Sequence, residues 1–481
     1  MRHKKKSKKR LLQPVRQPES QERNKPRHHI ALEFGWALLF FVLLALAKEH
    51  FVDHSIVGEH IRQATYDISQ VWLAAVRDPS QVPIAVVDIG ALQPCPQRLA
   101  DGSILYPRQA LEAAVTEVMN QKPAAVAIDI DFSLGTDIRC APLDAEELAR
   151  DKELPPDQLQ FSDRGGPPFF DFCIDQQRPI FLGVYRSQYD SPDKWLGSPD
   201  YKDLAATISL PIETSGEEKV IEVPDAVRRF MTRQIVRENE DPLDSLSFAL
   251  SKHKPSQLSW TQRLLERLPR GAFTVIEIEP IEPGVTLENF LVDFSSLKHL
   301  QETTVTYRDG KLTPRGEDLN DKLVLMGNTE TAEAIDKFIV PGDTRQVAGV
   351  YWHASSVDTL LRGILAQPTK KGELLLDLFF YVPLTLLIFG LRMAYAGRPD
   401  VHIAQHRLES IGTKIAALLI FLLGTYFVST TRLMWDGFLL VAVVTALHPT
   451  LESYFSSAAQ WLWQNGKRAL PGLFPGSGRH K

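Results

Sequence analysis

IAVVDI (Ile84–Ile89) and AAVAIDI (Ala124–Ile130) are the two stretches on which the fold turns. Each is a short, nearly continuous apolar run with an aspartate next to its last residue. Such runs are too short for buried helices and read as strands covered on both faces of a sheet. Between them, Pro107 to Asn120 carries a helical pattern, with Pro107 suited to a first helical turn. Strand, helix and strand in this order predict a βαβ unit with a parallel pair. Working outward, Phe169 to Gln176 reads as a helix leading into the strand PIFLGVY (Pro179–Tyr185). Thr274–Ile278, Phe290–Phe294 and Lys322–Met326 supply further strands. After Gly349, the residues Val350, Val357, Leu360 and Leu361 recur at helical spacing. The acidic, Pro- and Gly-containing segments Ser133–Pro168 and Ser187–Pro224 are expected as surface loops. The expected fold class is α/β, a mixed or mostly parallel sheet with flanking helices.

This middle region is bracketed by apolar runs: Ile30–Ala47, Leu374–Leu391, Ile415–Val428 and Phe438–Leu451. Each is roughly 14–18 residues, near or slightly below what a bilayer crossing requires. Arg432 and Asp436 form a short polar turn between the last two, as in a helical hairpin in lipid. The head MRHKKKSKKR, the loop bearing Arg392, Arg398, Arg407 and Lys414, and the tail bearing Lys467, Arg468, Arg479 and Lys481 are basic. The positive-inside rule places all three in the cytoplasm. The expected organisation is a basic arm (1–29), a first span (30–47), an external α/β domain (48–372), a second span (373–391), a cytoplasmic loop (392–411), a third span (412–429), a fourth span (437–454) and a short tail (455–481). The α/β domain is thus joined to an all-α transmembrane region of four helices. No small-residue cleavage site follows Ala47, where the chain runs KEHFVDH, so the first run reads as an uncleaved anchor.

The 54 Lys plus Arg stand against 59 Asp plus Glu, a net charge of −5. Because so much basic charge sits in the arm, loop and tail, the external domain is acidic, and the arm reads as a lipid-facing segment rather than a nucleic-acid arm. Cys95, Cys140 and Cys173 all lie in the external segment. An oxidising compartment permits one bridge with one thiol left over. Cys95 and Cys140 each follow an expected strand on the same sheet edge, which favours that pair, while Cys173 in PFFDFCI reads as buried.

An ordered series of motifs resembles the CHASE2 sensor proteins. It begins at TYDISQVWL (Asp67) and passes through PIAVVDI (Asp88), YPR (Pro107, Arg108), AAVAIDIDFS (Asp129, Phe132), DAVRRF (Arg228, Arg229) and DSLSFALS (Ser245, Ser247). It ends in a block where Lys322, Gly327, Asp336, Pro341, Gly349, Val350, His353, Ala354 and Leu360 match family positions. The series covers roughly Arg62 to Pro368. The resemblance implies an extracytoplasmic α/β input domain in a bacterial inner membrane, with one membrane helix before it and three after. It also implies signal reception, usually coupled to a cyclase or kinase. The sequence departs from the family pattern at GALQPCPQ after the first strand, at SILYPR before the first helix, and at VDF (Val292–Phe294).

Candidate site residues follow from the strand ends. Asp88, Asp129 and Asp131 lie at or just past the carboxyl ends of what are expected to be neighbouring parallel strands, where open α/β sheets bind ligands. Arg108, at the start of the intervening helix, lies toward the same rim. Converging carboxylates suit Mg²⁺ or Ca²⁺, and such aspartates equally cap loops or pair with arginines. The sequence identifies no cofactor. Asp129-x-Asp131 also bears a weak likeness to the carboxylate pair of dehalogenase-type phosphatases, but Phe132 and Ser133 follow where that family has other residues. His353, in the first turns of its helix, either reaches the rim or serves as a hydrogen-bonded core residue. The principal expectation is a non-enzymatic membrane sensor that passes its signal to a separate partner. A non-switching envelope assembly or scaffold protein is the alternative, and a metal-dependent periplasmic hydrolase is third. Expected partners are membrane lipid, an unidentified protein effector or envelope partner, and a second copy of the chain as a homodimer, but not nucleic acid.

Overall fold

The computed structural model describes residues 56–76, 82–92, 106, 108–132, 168–184, 199–208, 230–256, 263, 273–313, 319–330, 337–340, 346–369, 371–376, 379, 415, 418–419, 421–424, 426–427 and 431–434. Outside these residues lie the basic arm 1–29, the spans 30–47 and 437–454, the loop 392–411, the tail 455–481, Pro107, Asp336, and the proposed Cys95–Cys140 pair. The chain divides into two compact units, and the α/β domain belongs to the one formed by His60–Glu373 and Leu419–Leu440.

Helix α1 (Ile56–Val76) leads into β1 (Ile84–Asp88), α2 (Arg108–Asn120), β2 (Ala125–Ile128), α3 (Pro168–Ile174) and β3 (Ile180–Val184). Then come β4 (Ala205–Thr207), β5 (Phe230–Arg237), β6 (Leu243–Asp244), α4 (Leu246–Ser251), β7 (Phe273–Thr274), β8 (Glu277–Glu282) and β9 (Val285–Leu291). After a 3₁₀ turn (Phe294–Ser296) follow α5 (Leu297–Glu302), β10 (Val305–Arg308), β11 (Lys311–Thr313) and β12 (Leu323–Gly327). The domain closes with β13 (Lys337–Ile339), β14 (Gln346–Ala348), α6 (Gly349–Arg362) and β15 (Gln367–Pro368).

Among the described residues, seven strands form the main sheet in the order β11-β10-β1-β12-β2-β3-β4. All neighbours are parallel except the edge pair β10–β11. Every residue of β1, β2 and β12 is buried, as continuous apolar strands between helix layers require. Helix α2 covers one face through Leu111, Ala114, Val115 and Val118, at the spacing that puts side chains on one stripe. These join Phe132, Phe169 and Phe170 in the principal core. Each such buried large apolar side chain contributes about 1.5–3 kcal/mol.

Most expected strands and helices occur to within a residue or two, but the expected strand Thr274–Ile278 is divided by a bend between β7 and β8, β9 begins at Val285 rather than Phe290, and three further features differ. First, β1 and β2 are not neighbours: β12 lies between them, pairing Val86 with Leu325 on one side and Leu325 with Ala127 on the other. A strand nearly two hundred residues downstream leaves no local mark of its slot. Second, β4 falls inside the expected loop Ser187–Pro224, because a three-residue Ala-Ala-Thr strand is too short to show as an apolar run. Third, β5, β6, β8 and β9 build a separate antiparallel sheet in the order β6-β5-β9-β8. The expected strand Phe290–Phe294 ends at Leu291, since Asp293 caps the 3₁₀ turn by accepting the Ser295 N–H at 2.9 Å.

Among the described residues no helix is long and apolar enough to cross a membrane. Residues 371–376 are nevertheless helical, and Leu374 and Leu375 are exposed there. Exposed Ile415, Leu418, Leu419, Leu422, Leu423 and Tyr426 mark the third apolar stretch.

Candidate functional site at the carboxyl edge of the sheet

The carboxyl ends of β1, β12 and β2 lie side by side, and glycine and aspartate control what approaches them. Asp88 ends β1 and is mostly buried. Its Oδ1 accepts the N–H of Gly90 at 3.0 Å and the N–H of Thr329 at 3.1 Å, which ties the loop after β1 to the loop after β12. A Cβ at Gly90 would fall 2.7 Å from the Asn328 Oδ1, so a larger residue here would displace the Asn328 side chain.

Asp129 follows β2, with its side chain 8% exposed. Its backbone N–H donates to the Met326 carbonyl at 2.8 Å. Burial pushes its carboxyl up to about 7, because the charged form loses its water. Its Oδ1 lies 3.6 Å from Nε2 of His353, on the far side of β12. Gly327 makes this reach possible: a Cβ there would sit 2.8 Å from Val350 Cγ2 and 3.3 Å from the Asp129 Cβ. Its absence lets the first turn of α6 settle on the end of β12 and bring His353 over to β2.

The other imidazole nitrogen, Nδ1, lies 3.1 Å from the Ser247 hydroxyl, which is also 3.2 Å from the His353 carbonyl oxygen. Ser247 is wholly buried, on α4. Ser245 holds that short helix in place by accepting the Phe248 N–H at 3.2 Å. The serine has one proton and two acceptors within reach. When it donates to the carbonyl, Nδ1–H donates to the serine and Nε2 turns a lone pair toward Asp129, at a distance of 3.6 Å where the interaction is electrostatic and favours the protonated carboxyl. When it donates to Nδ1, Nε2 carries the proton and faces a carboxylate. A carboxyl titrating near neutrality moves between these two arrangements.

Arg108 begins α2 and is buried. Its guanidinium lies 4.2 Å above the Phe132 ring and about 6 Å from Phe169 and Phe170. The arginine therefore packs into the aromatic cluster that follows β2. Asp131 is half-buried two residues beyond Asp129. Among the described residues no group of three or more His, Cys, Asp or Glu is placed to hold a metal ion. With β12 between their strands, Asp88 engages backbone amides and Asp129 engages His353. Cys173 is buried as expected, and burial raises its thiol well above its ordinary range.

The contact of Ser247 with His353 joins residues 106 positions apart. Sequence reasoning named Ser247 only within the family motif. The available signal was the apolar setting of a Ser-x-Ser pair at a helix start.

No curated protein and no solved structure matches the chain. The family model for the CHASE2 domain matches residues 37–394, most of the chain. With its parallel sheet and polar carboxyl edge, this protein belongs to the CHASE2 family, whose domains are extracytoplasmic and sensory rather than catalytic.

Proposed function

We propose that this chain is a multi-pass sensor of the bacterial inner membrane, with its α/β domain in the periplasm and both termini in the cytoplasm. The domain receives a periplasmic signal and passes it to a separate polypeptide. One observation carries the reading: α6 meets the sheet edge at His353, 3.6 Å from Asp129, and in sequence it is followed by β15 and then the second apolar stretch. A ligand or proton that alters the Asp129–His353–Ser247 contact acts on a helix that is joined in sequence, through β15, to the second apolar stretch. The exposed leucines of the second and third apolar stretches support immersion in lipid, since an apolar surface of this kind is disfavoured in water. Signalling of this type requires that the ligand bind two arrangements of the domain with different affinity.

The test is thermal unfolding of the full chain in lipid nanodiscs against periplasmic metabolites and divalent ions. A native-state ligand at a hundred times its Kd adds about 2.7 kcal/mol, a readily measured shift in midpoint. A compound whose shift is lost in Asp129→Asn supports the reading. A flat response, together with a cross-linked envelope protein whose binding is unaffected by Asp129→Asn, favours the assembly alternative. Reporter fusions at Lys48, Arg392 and the C-terminus check the topology, and a periplasmic signal from the last would overturn it.

A further inference from the structure

The turn between the third and fourth apolar stretches is built into the α/β domain. The Ala366 N–H donates to the Arg432 carbonyl at 2.9 Å, and the Met434 N–H donates to the Ala366 carbonyl at 2.8 Å. Ala366 thereby bridges in parallel to Leu433, while its neighbour Leu365 bridges antiparallel to Leu291 at the end of β9. Arg432 has a φ of +55°, a conformation that costs a non-glycine residue energy and persists only where its surroundings impose it. What imposes it is burial: Arg432 is 5% exposed, with Nη1 2.7 Å from Oδ2 of the wholly buried Asp293.

Asp293 lies in a short segment to which two other helices attach. Its N–H donates to the Thr359 hydroxyl of α6 at 2.8 Å. The next N–H, of Phe294, donates to the Gln70 side-chain oxygen of α1 at 2.8 Å. The Tyr66 hydroxyl, also on α1, donates to the Val292 carbonyl. In sequence, α1 follows the first apolar stretch, α6 and Ala366 precede the second, and Arg432 lies between the third and fourth. All of these strands of chain meet at Val292–Phe294.

We propose that Val292–Phe294 is the junction that couples the outer domain to every segment leading toward the membrane, with the Arg432–Asp293 pair as its latch. This rests on the sensory reading for its purpose. The latch resists opening, because a buried charge deprived of its partner is strongly disfavoured. A small displacement of Val292–Phe294 therefore acts on all the attached segments together.

The test is amide hydrogen exchange on the full chain in nanodiscs of phosphatidylethanolamine and phosphatidylglycerol, with no ligand added. Arg432→Ala is expected to speed exchange at Ala366 and Met434 by ~100-fold or more, with β12 unchanged. Thr359→Val and Tyr66→Phe touch neither amide, and coupling predicts roughly a 10-fold rise at both. If Arg432→Ala opens the whole domain, β12 reports it, and the two hydroxyl deletions decide alone. If the hydroxyl deletions leave Ala366 and Met434 unchanged, the contacts are independent tethers and the junction is refuted. Since no ligand enters, a negative result here leaves the sensory reading standing, and a failed ligand screen leaves the junction standing.

Discussion

Replacing Asp129 by asparagine should remove a fall in stability with rising pH between about pH 4 and 7. The native carboxyl keeps its proton up to about pH 7, whereas an unburied one loses it near 3.8. In that interval the native state binds more protons than the unfolded state, so stability falls as pH rises. The contribution is fully present below 3.8 and is lost by the time the pH passes about 7. At ~1.4 kcal/mol per pH unit, a displacement of this size amounts to about 4 kcal/mol. Asparagine has the same shape, cannot ionise, and retains an N–H for Nε2 of His353, so its curve lacks this slope. Guanidinium unfolding of the full chain in detergent micelles measures the difference, and the buried Trp352 beside His353 supplies a local fluorescence probe. Other titrating groups, such as His253, whose imidazole is held below its usual range by burial and then by Lys252, are common to both proteins and cancel. The expected result is near-equal stability at pH 4 and an advantage for the asparagine variant that grows to pH 7 and then levels. Parallel curves across the whole range would refute the assignment of a buried, proton-holding carboxyl at the sheet edge.

Other consequences are as specific. Gly327→Ala places a methyl group 2.8 Å from Val350 Cγ2 and should cost ~1–3 kcal/mol in the same unfolding assay, with a loosened α6 visible as faster exchange in its first turn. Asp88→Ala strands the N–H groups of Gly90 and Thr329 and should cost about 1–3 kcal/mol, while Asp88→Asn, which keeps an acceptor oxygen, should cost less. Cys173 is 2% exposed and its thiol is hard to ionise, so iodoacetamide should leave it unlabelled in the native protein and modify it on unfolding. Labelling at the same rate in both states would contradict the packing of α3.

What the sequence revealed and what it withheld divide by range. β1 and β2 show because four or five consecutive apolar residues, bounded by turn formers, report burial on both faces wherever the strand sits. Their neighbours do not show. The slot of β12 between them is set by hydrogen bonds such as Leu323 N–H to the Pro83 carbonyl and Ala124 N–H to the Lys322 carbonyl, which no local pattern encodes. The antiparallel sheet was missed for a related reason. β8 is EIEPIE, an edge strand with a proline and an exposed Ile278, and it carries little of the alternation that marks a half-buried strand. The strand-end aspartates were legible as polar residues at a rim, but their partners were not. Asp129 finds His353 across an intervening strand, and Asp88 finds the amide of a residue 241 positions away. Arg432 reads in the sequence as part of a polar turn, while its burial goes with Asp293, which reads as a strand residue until its capping role is seen.

The polar burden of α6 connects these observations. His353, Ser355, Ser356, Asp358 and Thr359 are all almost fully buried on this one helix. A helix selected for stability alone would fill such positions with apolar side chains, because each polar group must recover its lost hydration through a partner. Two of them, His353 and Thr359, reach other elements from this one segment. His353 engages Asp129 and Ser247 at the sheet edge, and Thr359 engages the backbone of Asp293 beside the Arg432 latch. At 1.5 Å per residue they are about 9 Å apart along the axis. A shift of α6 that accommodates the carboxylate form of Asp129 therefore changes the register of Thr359 against Asp293 by the same amount, and a hydrogen bond of 2.8 Å tolerates little such change. Gly327 admits α6 to the sheet, and α6 thereby links the titratable edge to the segment Val292–Phe294.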